Sequence, residues 1–195
     1  LYSEDDFTFS GTDSVSGINA GTYEMELKAA DFANTNENFE NVTFVIVDGT
    51  LKINPIDVTV TITGNNATNT YDGAEHTVTG YEVEISDPLY TEDDFTFSGE
   101  AVAKRTEVGT TEMGLAASQF ENTNPNFATV TFNVTDGYQT ITALDTIIVT
   151  ITEHSDTVSY DGAEHTVTGY DVSINSDLYS EDDFTFSGTD SVSGI

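Results

Sequence analysis

Glu92-Asp93-Asp94-Phe95-Thr96-Phe97-Ser98-Gly99 stands three times in this 195-residue chain, with identical copies at 4–11 and 181–188. A leucine-tyrosine pair precedes each copy: Leu1-Tyr2, Leu89-Tyr90 and Leu178-Tyr179. A second marker, Tyr71-Asp72-Gly73-Ala74-Glu75-His76-Thr77-Val78-Thr79-Gly80-Tyr81, returns unchanged at 160–170. Both markers recur with a period of about 88 residues, the signature of a tandem repeat. Asn54-Pro55 marks a boundary, since proline cannot donate to a strand ladder. The chain therefore divides into the C-terminal part of a repeat (1–55), one complete repeat (56–143) and the N-terminal part of the next (144–195). Residues 1–18 and 178–195 are identical, whereas 89–106 keeps only the Leu-Tyr pair and the eight-residue block. That pattern predicts an alternating array of two slightly different units, seen through a window that opens inside a repeat.

Within the complete repeat the apolar periodicity is two. Ile56, Val58, Val60 and Ile62 alternate with Asp57, Thr59, Thr61 and Thr63, the pattern of a half-buried strand. Thr77 to Ile85 reads as one long alternating strand. Asp48-Gly49 and Asp136-Gly137, each between two apolar runs, read as hairpin turns, because Asp-Gly suits the type I′ geometry. Ala29 to Phe32 fits one helical turn. Asn34 to Asn38 and Asn122 to Asn126 read as loops, since asparagine competes for backbone hydrogen bonds. About seven short strands per repeat point to an all-β fold: tandem, elongated β-sandwich-like (Ig-like) repeat domains, or β-grasp-like units. The junction strands 56–63 and 145–151 are candidates to pair with one another across repeats.

The charge is lopsided. Thirty-five acidic residues face four basic ones, a net −31. Nucleic acid and direct membrane insertion are poor expectations, because a basic face and an apolar span are both missing. With no cysteine, disulfides and thiolate metal sites are excluded. Twelve Phe and nine Tyr in patterned strands argue against disorder.

The ordered set of motifs resembles the MBG-type repeats of bacterial cell-surface, adhesin-like proteins. It runs Tyr-Asp-Gly-x-x-His-Thr-Val-Thr-Gly-Tyr, Leu-Tyr-x-x-Asp-Asp-Phe-Thr-Phe-Ser-Gly, Asn-x-Asn-x-Asn-Phe and Val-Thr-Phe-x-Val-x-Asp-Gly. The resemblance implies an extracellular structural segment, a stalk or filament acting as a spacer or fibre, and carries over no catalytic residue. Its partners would be neighbouring repeats. The alternative is an adhesive module binding a glycan or a host protein.

No catalytic constellation stands in the sequence, and no enzyme is expected. The cluster Glu92, Asp93 and Asp94, with Glu4, Asp5, Asp6 and Glu181, Asp182, Asp183, is the one metal candidate. Clustered carboxylates suit calcium, which takes six to eight oxygens, but no EF-hand spacing accompanies them. No other cofactor is expected. His76 and His165, one per repeat, are read as hydrogen-bonding partners of the adjacent turn. His154 has no histidine counterpart, because Asn65 stands near the matching position.

Overall fold

The computed structural model describes residues 1–195. In chain order the strands are β1 (Phe7–Phe9), β2 (Gly21–Glu24), β3 (Phe32–Asn34), β4 (Thr50–Ile53), β5 (Ile56–Gly64), β6 (Asn66–Thr70), β7 (His76–Thr79), β8 (Tyr81–Ile85), β9 (Phe95–Phe97), β10 (Val102–Arg105), β11 (Gly109–Glu112), β12 (Phe120–Asn122), β13 (Phe127–Thr135), β14 (Tyr138–Thr142), β15 (Val149–Glu153), β16 (His165–Thr168), β17 (Tyr170–Ile174) and β18 (Ser191–Gly194). The only helical pieces are three-residue 3-10 turns, among them Ala29–Asp31 and Glu92–Asp94. The fold is all-β, built of small sheets, as the β-branched, period-two sequence requires.

The chain forms two compact units. The first comprises Leu1–Thr63, Tyr81–Glu100 and Leu115–Thr135. Its central sheet runs β13-β5-β8, with β9 paired to β12, β1 to β3 and β2 to β4. β5 sits in the middle, so one of its faces meets the core along its length. Val58, Val60 and Ile62 are buried there with Tyr90, Phe95, Phe120 and Phe127. Each such aliphatic side chain contributes about 1.5–3 kcal/mol on burial. Tyr81, Phe97 and Phe132 edge and stack against the buried rings.

The second unit comprises Gly64–Gly80, Ala101–Gly114 and Asp136–Ile195. Its sheets are β11-β14-β6, β7 with β10, β15 with β17, and β16 with β18. Ile141, Ala103 and the polar Gln139 are buried in it, with Gly64 and Gly137. The complete repeat thus contributes strands to both units.

Two pairings are parallel and long-range. β13 runs beside β5 with Phe132 opposite Val60, and β14 runs beside β6 with Thr140 opposite Thr68. These replace the expected Asp-Gly hairpin. β13 and β14 lie in different sheets, so Asp136-Gly137 links two sheets and closes none. The aspartate instead braces a neighbouring loop. Its carboxylate accepts from the Gly114 amide at 2.9 Å, as Asp48 accepts from the Glu26 and Leu27 amides at 2.8 and 3.1 Å. The loop after β11 turns through Gly114 at φ 79°, and its counterpart Glu26 holds φ 59°.

The long strand expected over 77–85 is likewise two strands in two sheets. Gly80, at φ 83°, lets the chain change sheets between β7 and β8. Nor do the junction strands pair with each other. β5 pairs with β13 and β8, and β15 pairs with β17, so each stays within its own repeat.

Candidate functional site

The thrice-repeated block folds into a polar knot. Leu89-Tyr90 leads into the 3-10 turn Glu92–Asp94, which feeds β9. Asp94 turns back on its own segment: its Oδ2 accepts from the Thr91 amide at 2.7 Å and the Thr91 hydroxyl at 3.0 Å. Its Oδ1 accepts from Asn124 Nδ2 at 2.8 Å, thirty residues away. The buried Tyr90 hydroxyl lies 3.0 Å from both the Asp94 carbonyl and Asn122 Oδ1, so its single proton is shared between them. Asn122 and Asn124 then hold the next turn, accepting from the amides of Asn124 and Asn126 at 3.0 Å each. The Asn-rich segment is a loop, as expected, but its side chains tie the loop to the Glu-Asp-Asp turn.

The same knot stands in 1–55. Asp6 Oδ2 accepts from the Ser3 amide at 2.7 Å, Asn36 reaches Asp6 at 2.6 Å and Tyr2 reaches Asn34 at 3.0 Å. In 144–195 the turn half is present, with Ser180 on Asp183 at 2.8 Å and Tyr179 on the Asp183 carbonyl at 3.1 Å. The Thr91 amide, together with Asn124 and the Thr91 hydroxyl, holds the Asp94 carboxyl below the usual carboxylate range, against a smaller opposing effect of burial. The Ser3 amide and Asn36 do the same for Asp6.

This geometry bears on the calcium candidates residue by residue. Both oxygens of Asp94 are engaged by protein donors. Glu92 and Asp93 are exposed on the same turn, as are Glu4 and Asp5, and Glu181 and Asp182. No three His, Asp or Glu side chains converge on one point.

Residues 1–55 match the MBG domain. The Leu-Tyr pair and Glu-Asp-Asp block that open this matched segment recur at 89–99 and 178–188. No curated protein and no solved structure matches the chain.

The second repeated marker, at 71–81 and 160–170, places its histidine as the sequence suggests. His76 Nε2 lies 3.0 Å from Asp72 Oδ1, which also accepts from the Ala74 amide at 2.9 Å. His165 repeats this on Asp161 at 2.9 Å, with the Ala163 amide at 3.0 Å. The Ala74 amide and His76 hold Asp72 below the usual carboxylate range. What the sequence does not show is that Asn65 and His154, at matching positions, make the same contact. Asn65 Nδ2 reaches the Thr79 carbonyl at 2.8 Å, and His154 Nδ1 lies 2.9 Å from the equivalent Thr168 carbonyl. Different side chains make one contact, so the equivalence is invisible to identity. Asp171, hydrogen-bonded to the other ring nitrogen at 3.3 Å, and the Thr168 carbonyl raise the His154 pKa.

Two compensated exchanges separate the repeat types. In the complete repeat Gln139 Nε2 donates to Asn69 Oδ1 at 2.9 Å; the equivalent positions are Leu51 and Val158. Arg105 reaches Thr111 Oγ1 at 3.2 Å and the Val108 carbonyl at 2.7 Å. In 1–55 the Arg105 position is Gly17, the Thr111 position is Tyr23, and the Tyr23 ring fills the space that a Gly17 side chain would need.

Proposed function

We propose that this chain is a structural repeat segment of a bacterial surface stalk or filament, an extended spacer or fibre and not a catalyst. The observation that carries the reading is the fate of its most repeated polar residues. In every copy the last aspartate of Glu-Asp-Asp accepts the amide that opens its own 3-10 turn, and the tyrosine hydroxyl before it donates to the carbonyl that closes that turn. The first two acids of each block face solvent, but the third, with the tyrosine, is spent on holding the turn together. The acidic surface suits a rod, since like charges along it resist collapse and side-by-side adhesion. The match of 1–55 to the MBG domain agrees with a unit made for tandem use.

The test is negative-stain imaging of an array of about six repeats at several protein concentrations. Rods whose contour length grows in proportion to repeat number support the spacer reading. Compact particles of constant length, or saturable binding of a single repeat on a glycan array, would replace it with the adhesive-module reading.

A further inference from the structure

We propose that Asn126 clasps the complete repeat to the repeat before it and makes that join a stiff joint, not a free hinge. This goes beyond the spacer reading, which a loosely jointed string of repeats would satisfy equally well.

The clasp is a two-point contact between repeats. Asn126 Oδ1 accepts from the Ala20 amide at 2.6 Å, 106 residues away in sequence, and Asn126 Nδ2 donates to Asn19 Oδ1 at 3.2 Å. Residues 18–20 form the bend that leads into β2 of the first repeat, while Asn126 belongs to the complete one. Both lie in the same compact unit. The main chain of Asn126 serves its own repeat. Its carbonyl accepts at 3.1 Å from the amide of Ile56, the first residue after the Asn54-Pro55 boundary. One residue therefore holds the start of its own repeat by its backbone and the preceding repeat by its side chain. The junction strands do not pair with each other, and this side chain bridges the boundary in their place.

Asn126 is fixed before it makes the contact. Its amide donates to Asn124 Oδ1 at 3.0 Å, and Asn124 Nδ2 in turn donates to Asp94. The next residue, Phe127, is buried in the core of the first unit. A side chain on a loose loop would give up much of its bond energy to ordering; here the polar knot has already ordered the loop. The three asparagines of the motif divide the work. Asn122 and Asn124 tie the loop to the Glu-Asp-Asp turn, and Asn126 carries that rigidity across the boundary.

The receiving bend is held as well. The Tyr23 hydroxyl donates to the Asn19 carbonyl at 2.9 Å. In the complete repeat the counterparts of Asn19, Ala20 and Tyr23 are Glu107, Val108 and Thr111, so that brace is missing from the sequence. Arg105 replaces it, donating to the Val108 carbonyl at 2.7 Å and to the Thr110 carbonyl at 3.4 Å. Two unrelated side chains steady the same bend in the two repeat types, as expected of a bend that must present its backbone in a fixed place. The chemistry of the clasp also suits its setting. The chain carries a net −31, and a carboxylate at the join would add repulsion where repeats meet. A neutral amide offers one donor and one acceptor without charge.

The chain has no cysteine, so cysteines introduced at the exposed Glu24 on β2 and Thr96 on β9 take spin labels at those two places alone. Pulsed dipolar spectroscopy of the labelled 195-residue chain measures the spread of distances between the two repeats, and hydrogen exchange reads the Ala20 amide. The parent chain is expected to give one narrow distribution. Asn126→Ala leaves every main-chain bond of the residue in place. It should broaden the distribution and speed Ala20 exchange about tenfold, the effect of losing two ordinary hydrogen bonds, with exchange at the Thr91 amide of the knot unchanged. Asn126→Asp keeps an acceptor for the Ala20 amide and should restore most of both readings. A distribution already broad in the parent, an Asn126→Ala chain as narrow as the parent, or an Asn126→Asp chain as loose as Asn126→Ala overturns the proposal. Contour length grows with repeat number even when the joints are loose, so failure here leaves the rod-length test of the spacer reading standing.

Discussion

Asn124→Asp is the sharpest probe of the polar knot. The substitution is isosteric, so packing is preserved, yet it turns the Nδ2 donor facing Asp94 Oδ1 at 2.8 Å into a second carboxylate oxygen. A hydrogen bond to a charged group contributes about 1.5–3 kcal/mol. The knot is half-exposed, which dilutes the added like-charge repulsion, so the expected loss is about 2 kcal/mol. A local cost of that size corresponds to roughly thirtyfold faster opening, at about 1.4 kcal/mol per factor of ten. Native-state hydrogen exchange at pH 7 reads it at the Thr91 amide, whose acceptor is Asp94 Oδ2, and at the Thr123 amide, which donates to the Asp94 carbonyl at 2.8 Å. Near pH 3 one of the two carboxyls takes a proton and a hydrogen bond can re-form, so most of the loss should vanish in a urea titration at that pH. Unchanged exchange at both amides at pH 7 would refute the view that Asp94 holds the turn through Asn124. A loss that is equal at pH 7 and pH 3 would refute the charge argument.

Further outcomes follow from other contacts. Asn69→Val should cost about 1–3 kcal/mol by leaving the buried Gln139 Nε2 with only the Thr140 carbonyl, while adding Gln139→Leu, which also removes a buried Oε1 without a partner, should recover the loss, as a denaturation double-mutant cycle would show. Gly114→Ala has no steric conflict but must hold φ 79°, so urea denaturation should show a loss of about 1–2 kcal/mol from backbone strain alone. Acid should loosen the knots: the depressed carboxyls of Asp94 and Asp6 stabilise the fold above the ordinary Asp pKa, and this is lost as pH falls through their lowered values, measured as faster exchange at Thr91 and Ser3. His154 has the opposite sign, its raised pKa stabilising below the ordinary histidine value and losing this as pH rises through the raised one; His154→Asn, which restores the residue at position 65, should flatten that dependence in thermal melts from pH 5 to 9. Calcium at millimolar concentration should leave the melting temperature of the chain unchanged, because Asp94 already spends both oxygens on protein donors; a clear rise would show that the turn can be recruited as a ligand.

Local features were legible in the sequence. The alternation of Val58, Val60 and Ile62 identified the buried face of β5, and Ala29–Asp31 is the single turn that its short run permits. The Asp-Gly hairpins misled because the same dipeptide serves two ends. Asp136 and Asp48 spend their carboxylates on the loop after the neighbouring strand, and the strands flanking Asp136-Gly137 pair elsewhere. Which strands they choose depends on contacts about seventy residues apart in sequence, such as Thr140 beside Thr68, and no local turn signals these. The repeated Glu-Asp-Asp block drew attention as a cation candidate, but its partners, Asn122 and Asn124, lie in a segment that reads only as loop. Its structural role becomes visible once β12 is laid against β9.

The parallel arrangement has a mechanical consequence. Residues 56–70 open the repeat and 127–142 close it; within the first unit β5 runs parallel to β13, and within the second β6 runs parallel to β14. Tension applied between the two ends of the repeat pulls the opening stretch backwards and the closing stretch forwards. The ladder between β6 and β14 is then sheared along its length, so its hydrogen bonds resist together instead of breaking singly as in a zipper. A chain of such units would meet a sustained pull with many bonds in concert at every repeat.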